Sequence, residues 1–185
     1  KGEDAAEFTS VGKPVQYCEV RIADKDGKPL SCRIGKCEGG FDWTWTQHTG
    51  WRIDSKSDKD VFYLSVFDNG DARGMEQPAL PEMKYSRAVI YKIDQKKMTV
   101  EQVWEYGKER GHEIYSPITS SVEYQADKNS VVVYWASIGT GSKTGPAPVL
   151  TEFRWGETKP AFEMHLKGGL GYRALPIDAQ KAFVR

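Results

Sequence analysis

Residues 87–106, RAVIYKIDQKKMTVEQVWEY, decide the fold because they contain two strands and the turn that joins them. Apolar residues dominate 87–93 and alternate with polar residues over much of 99–106, and both patterns are typical of β-strands. The polar residues 94–97 between the two segments favour a tight turn. The stretch therefore predicts a β-hairpin.

The same pattern recurs along the chain, and it predicts further strands in hairpin pairs. The expected pairs are 17–22 with 30–34, 41–47 with 61–67, 118–124 with 131–136, and 149–155 with 161–166. Helical periodicity is almost absent, so the predicted fold class is all-β. Apolar and charged hairpins alternate, and one of each makes a four-stranded blade, which favours a β-propeller. A single β-sandwich would also fit this alternation.

The predicted strands amount to about two and a half four-stranded blades, on the pattern of a propeller. So few blades cannot close a ring, and an open fragment would leave sheet faces exposed without offsetting the chain entropy of folding. Residues 1–185 are therefore expected to be a portion of a longer polypeptide.

Composition excludes several classes of partner. The 185 residues include 26 basic and 26 acidic side chains, and the formal net charge is zero. Nucleic acids and anionic membranes attract a concentrated positive field, so neither is an expected partner. No stretch of 18 or more apolar residues is present, which excludes a transmembrane helix. Residues 1–4 do not begin a signal peptide, so any exporting segment is expected outside this chain.

The chain has three cysteines, Cys18, Cys32 and Cys37. Zinc sites usually have four ligands with closer cysteine pairs, so no metal site is expected. Cys32 and Cys37 flank a glycine-containing stretch short enough to be a hairpin tip. A disulfide there would stabilise the fold by roughly 2 kcal/mol. Two reduced thiols in a cytosolic protein are the alternative, and composition does not decide between them.

Among the three histidines, His48 has the most suggestive setting. On an expected strand 41–48, the aromatic residues would point to one face and His48 to the other. A rigid strand that aims an imidazole at a cavity suits a catalytic group, although a structural histidine is the commoner alternative. His112 is expected in a loop, and His165 on an outer strand. The sequence has no Gly-x-Ser-x-Gly turn and no phosphate-binding loop.

The segments 47–48, Gln-His, and 67–70, Phe-Asp-Asn-Gly, together resemble the signature of the arylsulfate sulfotransferases. The resemblance continues through 86–94, 103–107 and 172–174, and it covers essentially the whole chain. It is closest to the enterobacterial periplasmic enzymes of this family.

This resemblance implies a six-bladed β-propeller, with a small amino-terminal β-domain and the earlier blades lying outside residues 1–185. It implies a periplasmic enzyme that moves a sulfuryl group from an aryl sulfate donor to a phenol acceptor, without a cofactor. The transfer would be ping-pong through a sulfo-histidine. Because relatives use further histidines and an arginine on earlier blades, this chain alone is expected to be inactive. The remainder of the propeller is an expected partner, and a homodimer is left open.

The resemblance carries the sulfurylated histidine onto His48 and a short-loop disulfide onto Cys32 and Cys37. That disulfide fits an oxidising periplasm and its thiol-oxidising machinery. Cys18 is then expected to be a buried thiol.

Four further residues are expected to bind substrate. Asn69, at the end of an inner strand, would donate a hydrogen bond, and His112 would line the same channel as His48. Tyr172 and Tyr115 would frame the aryl ring, with core packing as the alternative for both.

A non-catalytic propeller that binds glycans or partners is the rival function. Its contacts would be a rim of indole rings, those of Trp43, Trp45, Trp104, Trp135 and Trp155. A quinone-dependent dehydrogenase would need a calcium and quinone site that the sequence does not contain.

Overall fold

The computed structural model describes residues 42, 44–73, 80–178 and 182, together with the backbone of 32–33 and 36–37. These residues contain ten strands. In chain order they are β1 (Cys32–Arg33), β2 (Lys36–Cys37), β3 (His48–Arg52), β4 (Val61–Asp68), β5 (Arg87–Asp94), β6 (Thr99–Tyr106), β7 (Ser121–Gln125), β8 (Ser130–Trp135), β9 (Val149–Arg154) and β10 (Phe162–His165). Short 3₁₀ turns occur at Asp54–Lys56, Pro81–Met83 and Lys108–Ile114.

The strands form two four-stranded antiparallel sheets and one small hairpin. The first sheet has the order β3-β4-β5-β6, and the second sheet has the order β7-β8-β9-β10. Each strand pairs with its neighbour in the chain, as expected for consecutive hairpins. The all-β prediction is confirmed. No helix in the described part of the chain is long and apolar enough to cross a membrane.

Most of the predicted hairpins are present. The register of β5 on β6 runs from Ala88↔Tyr106 to Asp94↔Thr99, so residues 87–106 form the predicted hairpin. The pairs β7–β8 and β9–β10 match the other two predictions within about three residues at their ends. The predicted strand 17–22 and most of 30–34 lie outside the described residues.

The prediction of a strand over 41–47 is wrong in the part that the structure describes. The strand begins only at His48, which pairs with Phe67, and residues 44–47 are irregular. Thr46 has a positive φ of 53°, which lies outside the extended region of regular strands. The backbone of Trp45 contacts the Asp68 carboxylate and the Gly70 amide instead of a strand ladder. The predicted alternation of faces therefore does not extend to Trp45.

A layer of aromatic side chains joins the two sheets. Phe67 of β4 packs against Trp135 of β8 in a T-shaped contact with ring centroids 5.2 Å apart. Phe153 of β9 contacts Trp104 at 5.3 Å and Tyr106 at 4.5 Å. These edge and tilted contacts bury large apolar areas and favour one relative orientation of the sheets.

The first sheet is apolar on both faces. Ala88 and Ile90 of β5 belong to the aromatic core between the sheets. Val89 and Tyr91, which alternate with them, pack with Val66 on the opposite face. All five side chains are buried. A strand buried on both faces lies inside the structure, which explains why β5 begins with five consecutive buried residues.

Gly107, which follows β6, is a position where only glycine fits. Its φ is 120°, and an added Cβ would lie 2.6 Å from the Ser86 carbonyl oxygen and 2.6 Å from the Trp135 ring. We expect Gly107→Ala to lower the free energy of unfolding by about 2 kcal/mol or more, through backbone strain together with this overlap. Urea denaturation would measure the loss.

Gly156→Ala is the matched control for that measurement. Gly156 also has a positive φ, of 80°, but an added Cβ would have nothing within 4 Å. Its substitution should therefore cost only the strain, about 1 kcal/mol. Equal losses in the two variants would contradict the role given to the contact of Gly107 with Trp135.

Candidate active site

The candidate site centres on His48, the first residue of β3. Its imidazole is half-buried, and its Nδ1 lies 2.7 Å from Oδ1 of Asn69. The ring of Tyr172 meets it edge-on, with centroids 6.4 Å apart and planes at 81°. The structure therefore brings together His48, Asn69 and Tyr172, three of the residues selected from the sequence.

The backbone just before His48 is held by the end of β4. The Trp45 amide donates to Oδ1 of Asp68 at 2.7 Å, and the Gly70 amide donates to the Trp45 carbonyl at 2.9 Å. Gly70 has a φ of 74°, and an added Cβ would lie 2.4 Å from the Tyr85 carbonyl oxygen. The turn 68–70 thus requires glycine, and it fixes the segment that leads into His48.

Asp68 is wholly buried and pairs with two buried arginines. Its Oδ2 accepts from Nε of Arg87 at 2.7 Å and from Nη2 of Arg73 at 2.9 Å. Arg87 also reaches Glu105 at 2.7 Å and the Asp42 carbonyl. Charges removed from water are tolerated only when they are paired and hydrogen-bonded, as they are here.

Asp42 closes this charge network toward solvent. Tyr85 Oη donates to its carboxylate, and Lys108 lies 2.9 Å away. Burial opposes the charge on Asp42, but Arg87 and the Tyr85 hydroxyl outweigh it and lower the pKa of that carboxyl. The same burial, together with Asp42, raises the pKa of Tyr85, so this phenol stays a donor at neutral pH.

Asn69 lies behind His48 and is fully buried, with 0 % of its surface exposed. Its Nδ2 donates to the Ser116 carbonyl at 2.7 Å and to the Thr119 carbonyl at 2.9 Å. Both amide hydrogens are therefore used inside the protein. In this arrangement Asn69 contacts the imidazole rather than offering a donor to a substrate.

Tyr172 is held at the edge of β7 by its backbone. The Ser120 amide donates to the Tyr172 carbonyl at 2.9 Å, and Thr119 Oγ1 donates to the Gly171 carbonyl at 3.1 Å. Tyr172 as a residue remains 63 % exposed beside His48. Because the backbone is fixed while the ring is open to solvent, Tyr172 is available to a ligand.

Sequence reasoning missed the loop 116–120 and Arg173. The loop supplies every carbonyl that orients Asn69, and such backbone contacts leave no signal in side-chain identity. The guanidinium carbon of Arg173 lies 5.4 Å from the Trp51 ring centroid and 5.9 Å from that of Tyr172. This places a cation beside the exposed phenol, and the segment 172–174 was noticed only for its resemblance.

The two remaining histidines lie apart from these contacts. His112 is exposed and stacks on Tyr115, with centroids 5.7 Å apart. Burial, reinforced by Asp71, raises the pKa of Tyr115. His165 is exposed on β10, the edge strand of its sheet, as predicted. Its Nε2 lies 2.9 Å from the Glu163 carboxylate.

Among the described residues, two tryptophans of the predicted glycan-binding rim lie in the core instead. Trp135 is fully buried and donates from Nε1 to Thr151, while Trp104 is buried and donates to the Glu157 carbonyl. Trp155 lies against Tyr63 and Tyr124 in T-shaped contacts. Trp43 lies outside the described residues. Among the residues that the structure describes, no group of three or more potential ligands could hold a metal ion.

The fold and the site define an all-β protein in which two packed sheets hold a single imidazole beside an exposed aromatic ring. The family model of the arylsulfotransferases (ASST) matches residues 8–173. The chain belongs to the arylsulfotransferase family.

Two curated relatives are similar over most of this chain. The arylsulfate sulfotransferase AssT of Escherichia coli O6:H1 is 56% identical over 128 residues, which are 68% of this chain and 20% of the relative. The arylsulfate sulfotransferase AssT of Lelliottia amnigena is 54% identical over 121 residues, 64% of this chain and 19% of that relative. The chain thus spans about one fifth of the length of the curated relatives that it matches.

Asp68→Asn tests the buried charge network beneath the site. The substitution keeps the size of the side chain but leaves Arg87 and Arg73 facing a neutral group in a buried setting. We expect a loss of about 3 kcal/mol or more in the free energy of unfolding, because two buried guanidinium groups lose the carboxylate charge that they share. Chemical denaturation would measure it.

Asp60→Asn is the control for a surface pair. Asp60 lies 2.7 Å from Lys96, whose side chain is 71% exposed. Its loss should cost less than about 1 kcal/mol. An equal loss of unfolding free energy in both variants would show that the buried ion pairs of Asp68 stabilise the fold no more than a surface pair does.

Proposed function

We propose that His48 is the nucleophile of a sulfotransferase that moves a sulfuryl group from an aryl sulfate to a phenol. The observation that carries the proposal is the setting of its imidazole. One ring nitrogen is bound to Asn69, and the ring lies against the exposed Tyr172. Membership of the arylsulfotransferase family and the names of the two relatives support the reaction class.

The chemistry suits an imidazole. Transfer of a sulfuryl group is expected to be loose, like phosphoryl transfer, with charge spread over the equatorial oxygens and the departing phenolate. An ordinary imidazole is largely neutral at pH 7 and can attack sulfur in line. The N–S bond forms as the aryl O–S bond breaks. A second phenol then takes the group from the sulfo-histidine, which gives ping-pong kinetics.

We propose that the two sheets are consecutive blades of a β-propeller, the arrangement that the sequence resemblance implies. Both are four-stranded antiparallel sheets in simple chain order, they pack face to face, and the first sheet is apolar on both faces. Stacked blades require such two-sided burial. Their first strands, β3 and β7, meet beside His48, where Thr49 Oγ1 donates to the Ser120 carbonyl at 3.3 Å. First strands line the channel of a propeller.

Tyr172 is the best placed group to contact an aryl ring, because its own ring is exposed beside the imidazole. Tyr115 and His112, which stack on each other, are proposed to line a more distant part of the substrate channel. The sequence resemblance assigns the groups that stabilise the sulfuryl oxygens to other segments of the protein. The proposal therefore concerns the whole protein rather than residues 1–185 alone.

We also propose a periplasmic location and a disulfide between Cys32 and Cys37. The backbone pairing supports the disulfide, since Cys32 and Cys37 are opposite each other in the register of β1 and β2. Directly opposed residues of an antiparallel pair have Cα atoms about 4.5–5.5 Å apart, within the range that a disulfide spans.

His48→Gln tests the nucleophile in the complete protein. We expect transfer from a chromogenic aryl sulfate to phenol to be abolished, because the substitution removes the attacking nitrogen. The release of coloured phenol would measure it, and circular dichroism would establish that the fold is retained. His165→Gln, which changes an exposed histidine, should keep full activity. Near-normal turnover by His48→Gln would refute the assignment.

Proteolysis without reduction tests the disulfide. Trypsin cleaves after Arg33 and Lys36, so a disulfide would hold the Cys32 and Cys37 peptides together. We expect mass spectrometry to find these peptides joined, and Cys18 to be alkylated without reduction. Alkylation of all three cysteines in the unreduced, unfolded protein would contradict the proposal.

A further inference from the structure

The orientation of the Asn69 amide is determined by its neighbours. Its Nδ2 contacts two carbonyl oxygens, those of Ser116 and Thr119, which can only accept hydrogen bonds. The nitrogen must therefore face these carbonyls, and the oxygen must face His48. A flipped amide would place Oδ1 against both carbonyls in a site without solvent access.

This orientation determines which nitrogen of His48 carries a proton. The Asn69 oxygen has no hydrogen to donate, so the 2.7 Å contact requires a hydrogen on Nδ1 of His48. In the neutral imidazole, Nε2 then has no proton and presents a lone pair. The tautomer is thus imposed by two carbonyls of the loop 116–120, acting through one amide.

A chain of buried serine hydroxyls holds that loop. Ser116 Oγ lies 2.8 Å from both Ser120 Oγ and Ser137 Oγ. Ser137 Oγ donates to the Ile118 carbonyl at 2.6 Å, so its hydrogen is not available to Ser116. Ser116 accordingly donates to Ser137, and Ser120 donates to Ser116. The loop carbonyls are therefore positioned by hydroxyls that all point in one direction.

A fourth buried serine attaches the same loop to Asn69. Ser86 Oγ donates to the Asn69 carbonyl at 2.8 Å and accepts from the Ser116 amide at 2.8 Å. Ser86, Ser116, Ser120 and Ser137 are all fully buried. Satisfied networks of this kind rigidify the groups attached to them.

The backbone is strained on both sides of the contact. Thr46 and Thr49, around His48, have φ of 53° and 51°, and Thr119 and Ser120 have φ of 57° and 87°. Threonine is rarely found in this region, because its branched Cβ is crowded there. Such conformations persist only where the surroundings impose them, and they concentrate at functional sites.

We propose that Asn69 is a positioning residue that holds His48 as the Nδ1–H tautomer, so that Nε2 is the nitrogen that accepts the sulfuryl group. This rests on the proposed function of His48. As the Nε2–S bond forms and the aryl O–S bond breaks, the electron pair of that bond leaves with the phenolate. The Nδ1 proton stays in place, and the positive charge that develops on the ring is stabilised by the Asn69 oxygen.

The second half of the reaction restores the same state. The oxygen of an acceptor phenol attacks sulfur, and its proton passes to a base or to solvent. The electrons of the Nε2–S bond return to the ring. The imidazole is again neutral, with the hydrogen still on Nδ1. A neutral amide partner suits this cycle, because a carboxylate would stabilise the charged adduct and make it a poorer donor.

The tautomer can be observed directly in the complete protein labelled with ¹⁵N-histidine. Long-range ¹H–¹⁵N correlation at mildly alkaline pH, where imidazoles are neutral, distinguishes the protonated ring nitrogen from the unprotonated one. The His48 signals would be assigned by their loss in His48→Gln. We expect the hydrogen on Nδ1 in the unmodified protein. A hydrogen on Nε2 would overturn the proposal.

Asn69→Leu removes the acceptor with little change in volume. We expect the His48 tautomer to change, kcat to fall by about 100-fold or more, and KM for the aryl sulfate to change less than about threefold, as for other catalytic imidazoles that lose the partner fixing their tautomer. Retention of both the Nδ1–H tautomer and kcat would overturn the proposal.

Ser65→Ala is the matched control for lost stability. Ser65 is buried, and it donates to the Val122 carbonyl at 2.9 Å across the same pair of sheets. This variant should lose stability, keep the Nδ1–H tautomer, and hold kcat within about twofold, because it removes one buried hydrogen bond away from the imidazole. A change of tautomer in Ser65→Ala would mean that general loosening, not Asn69, sets the proton position.

The two proposals can fail separately. The tautomer is measured without turnover, so its result stands whether or not His48 is the nucleophile. Transfer by His48→Gln would refute the function, whereas an Nε2–H imidazole in an active protein would refute only the role of Asn69.

Discussion

The buried carboxylate of Asp68 is the group on which the site most depends. Its Oδ1 accepts from the Trp45 amide and its Oδ2 binds Arg73 and Arg87, so it joins the segment before His48 to the end of the first sheet. A charge without solvent access must have such partners, and the surrounding backbone is therefore constrained to supply them. The turn 68–70 and the irregular residues 44–47 follow from this requirement.

The loop that leads into the second sheet holds the site through neutral hydrogen bonds rather than through ion pairs. This loop, 116–120, orients Asn69 through backbone carbonyls, and the segment around Tyr172 is fastened to the same loop. The aromatic layer between the sheets fixes how the loop approaches His48. The His48 imidazole thus lies between the ion pairs of Asp68 on one side and the neutral hydrogen bonds of the loop 116–120 on the other.

The strands could be predicted from the sequence because their signal is local. Residues 87–106 contain two strand-like segments joined by a polar turn, and the pairing that this predicts is present. The local pattern of residues 41–47 predicted a strand wrongly. The Trp45 amide donates to the Asp68 carboxylate and so cannot pair with a neighbouring strand. Thr46 and Thr49 adopt positive φ without glycine or asparagine to signal it.

The candidate site was only partly accessible from the sequence. His48 was singled out from its strand setting and from the family resemblance, Asn69 and Tyr172 were added as substrate-binding residues, and the three do lie together. The hydrogen bond between His48 and Asn69 could not be predicted from the sequence. The orientation of the Asn69 amide depends on backbone carbonyls of a loop that is remote in the chain. Contacts made by main-chain atoms are specified by the fold as a whole.

The inter-sheet contacts of His48 also bear on the order of folding. The hairpins form from neighbouring residues, whereas the contacts of His48 with Asn69 and Tyr172, and those of Asn69 with the loop 116–120, join remote parts of the chain. Long-range contacts carry a loop-closure cost and form after local ones. The proposed Nδ1–H form of His48 therefore requires that the two sheets have docked.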